Sequence, residues 1–560
     1  MRPSLLLPAF ALTSFALAGL MAGCQPAAQP EATLILHGGH IITPETPEAT
    51  ALAVAGDRIL AVGPDTPILA LQGPKTQVLD LDGATVVPGF NDSHCHLYGL
   101  GQALAQIDLV GTASPEDVAA RVATAHAERP GDGWLQGRGW DQNDWPVQEY
   151  PTRALLDVVV GTRPVLIRRI DGHAALASSQ ALALAGITAD TPDPDGGQIL
   201  RDKAGRPTGL LIDNAVDLVL AIIPQPDADE VARRVRLAID HCHRYGITGV
   251  HEAGVSWERV GYYQSLAQAG KLDLRIYAML DDVPATLDAA FAQGPIFTPD
   301  DIFTARAVKI YADGALGSRG ARLLADYTDQ PGHRGLLVTD PAHLREVSRR
   351  ARDKGFQVGA HAIGDAANRL LLNIFSELNK EDGSVRDPRW RIEHSQILHP
   401  EDIPRFAREG VIAAMQPVHC TSDMDWAEQR LGAQRLAGGY AWKSLLDSGA
   451  RLCFGTDFPI EKVDPLDGLY AARTRMHPDG TPPGGWQPQE KLDGATALRL
   501  YTAGSAYAAF MEDRLGVIRP GYYADLTVLS GNPVTCPPAQ LLDMAVRHTI
   551  VAGRVVYSAE

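Results

Sequence analysis

Two histidines stand one residue apart in the stretch PGFNDSHCH, directly after a hydrophobic run. Side chains alternate between the two faces of a β-strand, so His94 and His96 project from the same face. Two imidazoles at that spacing can bind one metal ion, and imidazole and carboxylate groups are ligands of Zn²⁺. The same spacing also occurs among structural histidines, so the interpretation depends on which partners the rest of the chain supplies.

Four further residues of suitable chemistry follow later strand-like runs, namely Lys309 in AVKIYADG, His361 in GAHAIGD, His394 in RIEHSQ and Asp457 in GTDFP. An aspartate beside a metal can take a proton from water that the metal acidifies. A buried lysine has a nucleophilic amine, and addition of CO₂ would convert it into a carbamate, an oxygen ligand able to bridge two metals. Taken singly, each residue also fits a structural role.

Strand-like runs alternate with amphipathic helical stretches over residues 87–505, which predicts βα units and a parallel sheet. Eight runs precede a helix or turn: PGFNDSHCH, ITGVHEAG, LRIYAML, AVKIYADG, QVGAHAIGD, WRIEHSQ, IAAMQPVHC and LCFGTD. A closed (β/α)8 barrel, or TIM barrel, needs eight strands and carries its catalytic groups at their C-terminal ends. The sequence therefore predicts an α/β barrel with the candidate ligands at one end.

Three other segments have a different texture. Residues 103–230 are rich in Trp, Gly, Pro and Asp and are too long for a loop, which predicts an inserted subdomain. Short alternating runs in residues 33–86 and 506–560 predict one small β-sandwich built from both ends of the chain, with two separate hairpin caps as the alternative.

The first residues resemble a bacterial lipoprotein signal. A positive residue precedes an apolar run that ends in small residues, LMAGC, which is similar to a lipobox. The resemblance implies a signal peptide over residues 1–23, acylation of Cys24 and a tether over residues 24–32. We therefore expect an extracytoplasmic protein anchored to a membrane, in the periplasm or at the outer membrane of a Gram-negative cell. A plain secretory signal and a short membrane anchor are the alternatives.

Composition narrows the classes of partner. The chain has 560 residues, and its hydrophobic content of 45 % is ordinary for a globular protein. Its net charge of −17 is too acidic for a nucleic-acid partner. The five cysteines that follow Cys24 are scattered and odd in number, so they do not form a disulfide framework. The expected partner is a small-molecule substrate. The sequence does not decide between a monomer and a homo-oligomer.

Together the motifs resemble the amidohydrolase superfamily, in the branch called amidohydrolase family 3, which includes N-substituted formamide deformylases. The matching stretches are PGFNDSHCHL, DGHAALASS, GITGVHEAG, VKIYADGALGSRGARL, GAHAIGDAA, RIEHSQ, MQPVHCTSDMDWAEQRLG, GTDFPIEKVDPLDGLYAARTR and GVIRPGYYADLTVL. They run from about residue 33 to the C-terminus, which is nearly the whole mature chain.

The resemblance implies a metal-dependent hydrolase with a β-sandwich appended to a distorted barrel. The resemblance implies one or two bound divalent ions, with zinc as the expected metal. The ligands would be His94, His96, Lys309, His361, His394 and Asp457. The first two histidines would bind the more buried ion and the other two the second ion. The lysine would be carboxylated and bridge them, and the aspartate would be both ligand and proton shuttle.

Further polar residues are expected to line the substrate pocket, although each also fits a structural role: His173, His251, Arg319 and His419. The expected activity is hydrolysis of a C–N bond other than a peptide bond, in a small amide, formamide or cyclic amide, by metal-activated water with Asp457 as general base. Deacylation of an N-acyl amino acid, ester hydrolysis, and an inactive extracytoplasmic binding lipoprotein are the alternatives.

Overall fold

Eight parallel strands form a nearly closed barrel in the computed structural model, which describes residues 31–381 and 387–559. The barrel strands are β1 (Phe90–Cys95), β2 (Ile247–Val255), β3 (Arg275–Leu280), β4 (Phe303–Tyr311), β5 (Gln357–Ala362), β6 (Arg391–His394), β7 (Ile412–Met415) and β8 (Arg451–Phe454). Each pairs with the next in chain order, and the two-residue strand Ile296–Phe297 adds to β4. These are the eight runs that the sequence predicts.

Side-chain and backbone hydrogen bonds join β1 to the loop after β8, where the sheet ladder ends. The buried Asp92 carboxylate accepts hydrogen bonds from the backbone N–H and the hydroxyl of Thr456, the latter at 2.6 Å. The N–H of Asp457 donates to the carbonyl of His94 at 2.8 Å. The seam between the first and last strands therefore fixes Asp457 beside His94.

Helices cover the outside of the barrel, and Ala228–Arg244 shows how the sequence specifies them. Asp227 accepts a hydrogen bond from the N–H of Glu230 and caps this helix, whose buried side chains face the barrel. The α-helices of the barrel region are Leu97–Ala105, Ala228–Arg244, Trp257–Gln268, Pro284–Gln293, Pro341–Asp353, Asp365–Lys380, Ile403–Glu409, Pro417–Leu431, Trp442–Asp447, Pro465–Thr474, Gly494–Leu500 and Ala503–Ala508. Short 3₁₀ helices are Gln142–Asp144, Ala433–Gly438, Pro488–Glu490 and Pro538–Leu541.

A second sheet lies between β1 and β2 in the chain, within the segment predicted as an insert. Its six strands, in spatial order, are Gly197–Arg201, Pro207–Asp213, Ala174–Ala177, Val165–Arg169, Leu135–Trp140 and Ile107–Asp108. The accompanying helices are Pro115–Glu128, Ala154–Val160, Ser179–Leu184 and Asn214–Leu220. Two apolar clusters, separate from the barrel core, pack against this sheet.

Strands from the two ends of the chain share one sheet. The five-stranded sheet is His40–Ile41, Thr85–Pro88, Leu526–Leu529, Val546–Val551 and Arg554–Ser558, and Val86 pairs with Val528. A four-stranded sheet of Arg58–Gly63, Ala51–Ala55, Ala32–His37 and Gln72–Asp80 lies nearby with the helix Asp65–Leu69. Apolar residues of both sheets form one cluster.

The described helices include none that is long and apolar enough to cross a membrane. Cys24 and the predicted signal segment 1–23 lie outside the described residues. The four cysteines at positions 95, 242, 420 and 453 are buried and free, which suits small core side chains.

Candidate metal centre

Three buried residues at the C-terminal ends of barrel strands could share one metal ion. His94, His394 and Asp457 each offer one ligand atom, and these atoms lie within 4.8 Å of one another. The ring of His394 lies 4.8 Å from that of His94 and 4.5 Å from that of His361, measured between centroids. Parallel strands bring these side chains together because their carboxyl ends meet at one rim.

The remaining predicted ligands lie beside this trio. His96 Nε2 is 3.3 Å from Asp457 Oδ1, and His94 Nε2 is 3.7 Å from the same oxygen. Lys309 Nζ is 3.4 Å from His94 Nε2. The structure therefore brings the six residues predicted from the sequence into one group of side chains, the metal cluster.

The backbone at two of these strand ends adopts an uncommon conformation. His394 has φ 74°, Ser395 has φ 43° and Asp457 has φ 63°. Left-handed conformations are unfavourable for residues with a Cβ, and they concentrate at functional sites because surrounding contacts must hold them. Here the strain turns the side chains that follow β6 and β8 toward the centre of the barrel mouth.

Burial keeps three imidazoles of the cluster, those of His94, His361 and His394, neutral. Burial, reinforced by the charge of Lys309, lowers the pKa of His94 to about 4 and that of His361 to about 3. The pKa of His394 is likewise lowered, by burial and then by the neighbouring imidazole of His361. Neutral imidazole is the form that binds metal, so these three side chains are in the protonation state that a metal requires.

Unpaired polar atoms test whether a metal fits. His361 Nε2 and Asp457 Oδ1 are buried and lack a hydrogen-bond partner among the described residues. Such a group costs about 1–3 kcal/mol when nothing satisfies it. Asp457 Oδ1 faces His94 Nε2 and His96 Nε2, whereas His361 Nε2 lies 3.6 Å from Asp313 Oδ1. Imidazole nitrogens around a carboxylate oxygen are the donor chemistry of a zinc-type divalent ion. The residues present therefore fit a metal.

A buried ion pair between Glu393 and Arg391 contacts His94 and orients its ring. Glu393 Oε2 lies 2.5 Å from His94 Nδ1, and Arg391 Nε donates to Glu393 Oε1 at 2.8 Å. Burial alone would raise the pKa of Glu393, but the charge of Arg391 and the bond to His94 lower it to about 2. Arg391 Nη1 also lies 2.9 Å from His251 Nδ1. Such outer contacts fix the tautomer and orientation of a ligating histidine.

The contact of the Glu393–Arg391 pair with His94 was not predicted from the sequence. Gln416, whose Oε1 lies 2.9 Å from His394 Nδ1, was not predicted either. A signal was present in RIEH, where Arg391 and Glu393 occupy the same face of a strand that is otherwise typical of a core. Charged residues with that spacing in a buried strand indicate a satisfied pair facing inward. The contact of His96 Nδ1 with the carbonyl of Ala253, at 3.1 Å, leaves no such signal because it is made by the backbone.

His419 joins the cluster through Asp457. Its Nε2 lies 3.2 Å from Asp457 Oδ2, and its Nδ1 lies 3.0 Å from Glu461 Oε1. Burial would lower the pKa of His419, but the hydrogen bonds and charges of the two carboxylates outweigh it and raise that pKa to about 10. Burial would raise the pKa of Asp457, but the hydrogen bond with His419 holds it well below its usual range. The pair is therefore a buried imidazolium and carboxylate.

The other predicted pocket residues lie elsewhere. His251 is buried in the barrel interior against Arg391. The His173 side chain is 75 % exposed and its Nδ1 lies 2.8 Å from Asp213. Arg319 forms an ion pair with Asp329 at 2.8 Å. Of the four, only His419 forms a side-chain hydrogen bond with a candidate metal ligand among the described residues.

The sequence pattern of the amidohydrolase family matches residues 77–557. The chain belongs to this family. It is 36 % identical over 535 residues to the Bacillus subtilis protein YtcJ, an alignment that covers 93 % of this chain and 99 % of the relative. It is 28 % identical over 532 residues to an N-substituted formamide deformylase of Arthrobacter pascens, covering 91 % of this chain and 95 % of that enzyme.

One solved structure extends the family relationship to three dimensions. An uncharacterized metal-dependent hydrolase from Pyrococcus furiosus superposes with a TM-score of 0.73 at 29 % sequence identity. The match covers 90 % of this chain and 100 % of that one. Family membership and fold therefore agree with the metal cluster built from the side chains.

Proposed function

We propose that this protein is a metal-dependent hydrolase that cleaves a C–N bond of a small amide, formamide or cyclic amide. The observation that carries the proposal is the buried trio His94, His394 and Asp457, whose ligand atoms lie within 4.8 Å of one another. The deformylase of Arthrobacter pascens and the metal-dependent hydrolase of Pyrococcus furiosus support the reaction class.

The residues that would hold one or two ions, with zinc as the proposed metal, are His94, His96, Lys309, His361, His394 and Asp457. When bound, such an ion supplies an electrophile that acidifies water and polarises a carbonyl group. Burial lowers the pKa of Lys309 to about 8, so about a tenth of the side chain is the neutral amine at pH 7. That amine is the form that adds CO₂, which supports a carboxylated Lys309 as a bridging ligand.

Asp457 divides its two oxygens between two tasks. Oδ2 is hydrogen-bonded to His419, while Oδ1 faces His94 and His96 without a hydrogen-bond donor among the described groups. In the proposed reaction Asp457 accepts a proton from the attacking water and delivers it to the leaving nitrogen. His419 and Glu461 would hold the carboxylate in place during both transfers.

Metal analysis followed by turnover on a matched panel tests the proposal. The panel contains N-benzylformamide, a cyclic amide, an N-acyl amino acid and an ester, and product release is followed by chromatography. We expect bound divalent metal, turnover of an amide, loss of turnover on chelation and recovery when zinc is restored. Hydrolysis of only the N-acyl amino acid, or of only the ester, would mean that this compound carries the bond the enzyme cleaves. Tight binding of amides without turnover would indicate a binding lipoprotein instead.

The role of Lys309 is tested by metal content. If a carboxylated Lys309 bridges two ions, the protein binds two per chain and Lys309→Ala loses most of them. Lys443→Ala is the matched control, because Lys443 lies on the surface and pairs with Asp447. Full metal occupancy in Lys309→Ala would remove this residue from the site.

We propose further that Cys24 is acylated and anchors the protein to a membrane outside the cytoplasm. The support is the sequence LMAGC alone. The wild-type protein is expected to partition into detergent, and Cys24→Ser is expected to move it to the aqueous fraction. A wild-type protein that stays in the aqueous fraction would contradict the anchor.

A further inference from the structure

Tyr311 lies one layer above Lys309 on the same face of β4. Side chains alternate along a strand, so Lys309 and Tyr311 both project into the barrel while Val308 and Ile310 pack in the outer core. Tyr311 is paired in register with His361 on β5. It is the last residue of its strand and 38 % exposed, whereas Lys309 is 1 % exposed. Tyr311 therefore stands at the boundary between the metal cluster and solvent.

The ring of Tyr311 touches the metal cluster from this position. Its centroid lies 4.8 Å from Lys309 Nζ and 5.7 Å from the centroid of the His361 ring. The phenolic hydroxyl at the far end of the ring is a hydrogen-bond donor. The ring thus forms one wall of the space in front of the cluster.

The hydroxyl of Tyr311 lies close to Gly254 on β2. A Cβ built on Gly254 would stand 3.5 Å from Tyr311 Oη, so the side chain reaches from β4 past β3 to the end of β2. The residue before Gly254 is Ala253, whose carbonyl contacts His96 Nδ1. His96 has the most exposed side chain of the cluster's histidines, at 34 %. The hydroxyl therefore borders the open side of the cluster, where a substrate must enter.

No described group hydrogen-bonds this hydroxyl, whereas His94 Nδ1, His394 Nδ1 and Asp457 Oδ2 each have a hydrogen-bond partner. A donor held at a metal site and left for a ligand is the arrangement that stabilises charge developing on a carbonyl oxygen. The rigid strand position and the contact with Lys309 would fix the hydroxyl before substrate arrives. This preorganisation is what makes such a donor effective.

The geometry points to Tyr311 as a catalytic residue that donates a hydrogen bond to the carbonyl oxygen of the substrate. The inference rests on the proposed amide hydrolysis. Water adds to the carbonyl carbon, the C–N bond breaks, and the proton that water gives up ends on the leaving nitrogen. Tyr311 keeps its own proton throughout and stabilises the negative charge on the oxygen.

Tyr311→Phe removes only the hydroxyl and gives the first test. Removal of one such donor typically lowers kcat by about 10²–10³-fold, and we expect at least a hundredfold loss with little change in KM or metal content. Tyr557→Phe is the matched control, because this half-buried tyrosine lies on the terminal strand Arg554–Ser558. Full activity of Tyr311→Phe, or a loss explained by lost metal, would overturn the inference.

A thioamide substrate separates a catalytic hydroxyl from a structural one. Sulfur is a weaker hydrogen-bond acceptor than oxygen, so the wild type should prefer N-benzylformamide over its thio analogue more strongly than Tyr311→Phe does. A structural role would leave that preference unchanged, and an unchanged preference would overturn the inference.

Formate binding keeps the test independent of turnover. The metal-loaded protein is titrated with formate, the acid product of a formamide, and the heat is measured. We expect weaker formate binding in Tyr311→Phe than in the wild type and in Tyr557→Phe. Equal binding, or absent binding, in all three proteins would overturn the role of Tyr311. Absence of turnover on every amide would instead overturn the proposed function.

Discussion

The barrel mouth and the inserted sheet both present a histidine hydrogen-bonded to an aspartate, and the two pairs differ in enclosure. At the mouth, the His419 side chain is 14 % exposed and that of Asp457 8 %. In the insert, the His173 side chain is 75 % exposed and that of Asp213 46 %. Backbone strain does not distinguish them, because Asp213 has φ 46° and Asp457 has φ 63°.

Topology explains the difference. Eight parallel strands deliver their carboxyl ends to one rim, so side chains from many strands surround each other there. His173 and Asp213 flank a single antiparallel pair, in which Ala174 lies opposite Ile212. Two chain segments cannot exclude water from all sides. Enclosure by converging strands, rather than residue type, therefore separates the candidate metal site from a surface pair.

The largest expected effect comes from Asp457→Asn, which keeps the size of the side chain and removes its proton affinity. General acid–base groups contribute about 10²–10⁴-fold in rate, so turnover should fall at least a hundredfold. The amide oxygen can still coordinate, so the fold and much of the metal should remain. Steady-state kinetics and metal analysis of the same preparation check this. Near-wild-type turnover in a metal-loaded variant would leave the proposed mechanism without its base.

The second prediction concerns the support beneath the mouth. Glu393→Gln keeps the shape but removes the charge that orients His94 and pairs with Arg391. Loss of such outer contacts typically costs about 10–100-fold in metal affinity, which a competing chelator measures. Asp213→Asn, which alters the corresponding partner of His173, is the control and should leave metal affinity unchanged. An unchanged affinity in Glu393→Gln would show that enclosure alone suffices.

The candidate ligands were predictable from the sequence because each follows a strand-like run, and strand alternation fixes the faces of His94 and His96. Barrel topology then requires the strand ends to meet, so the cluster follows from local patterns. The eight strands were predictable for the same reason. Alternation of strands and helices leaves few topologies open.

Contacts across the barrel were not predictable. Glu393 supports His94 across 299 residues of chain, and no local pattern specifies that pairing. His173 and His419 look alike as sequence motifs, yet one is on the surface and the other is buried. The difference arises from loop packing around the mouth, which periodicity does not encode.

The third prediction measures what enclosure costs. Asp464 caps the helix Pro465–Thr474 by accepting from the N–H of Leu466, and burial raises its pKa to about 6. A raised carboxyl pKa contributes stability below the unfolded-state pKa, and this contribution is lost as the pH rises through about 6. Asp464→Asn keeps a capping oxygen and should raise the free energy of unfolding at pH 7.5 by on the order of 2 kcal/mol.

Thermal midpoints measured between pH 4 and pH 7.5 check the sign, because the advantage of Asp464→Asn should shrink as the pH falls. Asp493→Asn is the matched control. Asp493 caps the helix Gly494–Leu500, but hydrogen bonding to the N–H of Thr496 lowers its pKa. This control should therefore bring no gain at pH 7.5. A gain of equal size in both variants would attribute the effect to capping rather than to burial of charge.

The smallest expected effect is that of His173→Ala in the insert. Its side chain is largely exposed and contacts Asp213 at the surface, so its removal leaves no buried group unpaired. Substitutions of that kind are usually within about 0.5 kcal/mol, so turnover and metal content should stay within about twofold of the wild type. His419→Ala, by contrast, leaves the buried Asp457 and Glu461 without their shared partner and should lower turnover at least tenfold. Steady-state kinetics on one amide substrate compares the two variants directly. A loss in His173→Ala that equals the loss in His419→Ala, at unchanged metal content, would show that an exposed pair from the insert takes part in the reaction, and enclosure would then no longer separate the two regions.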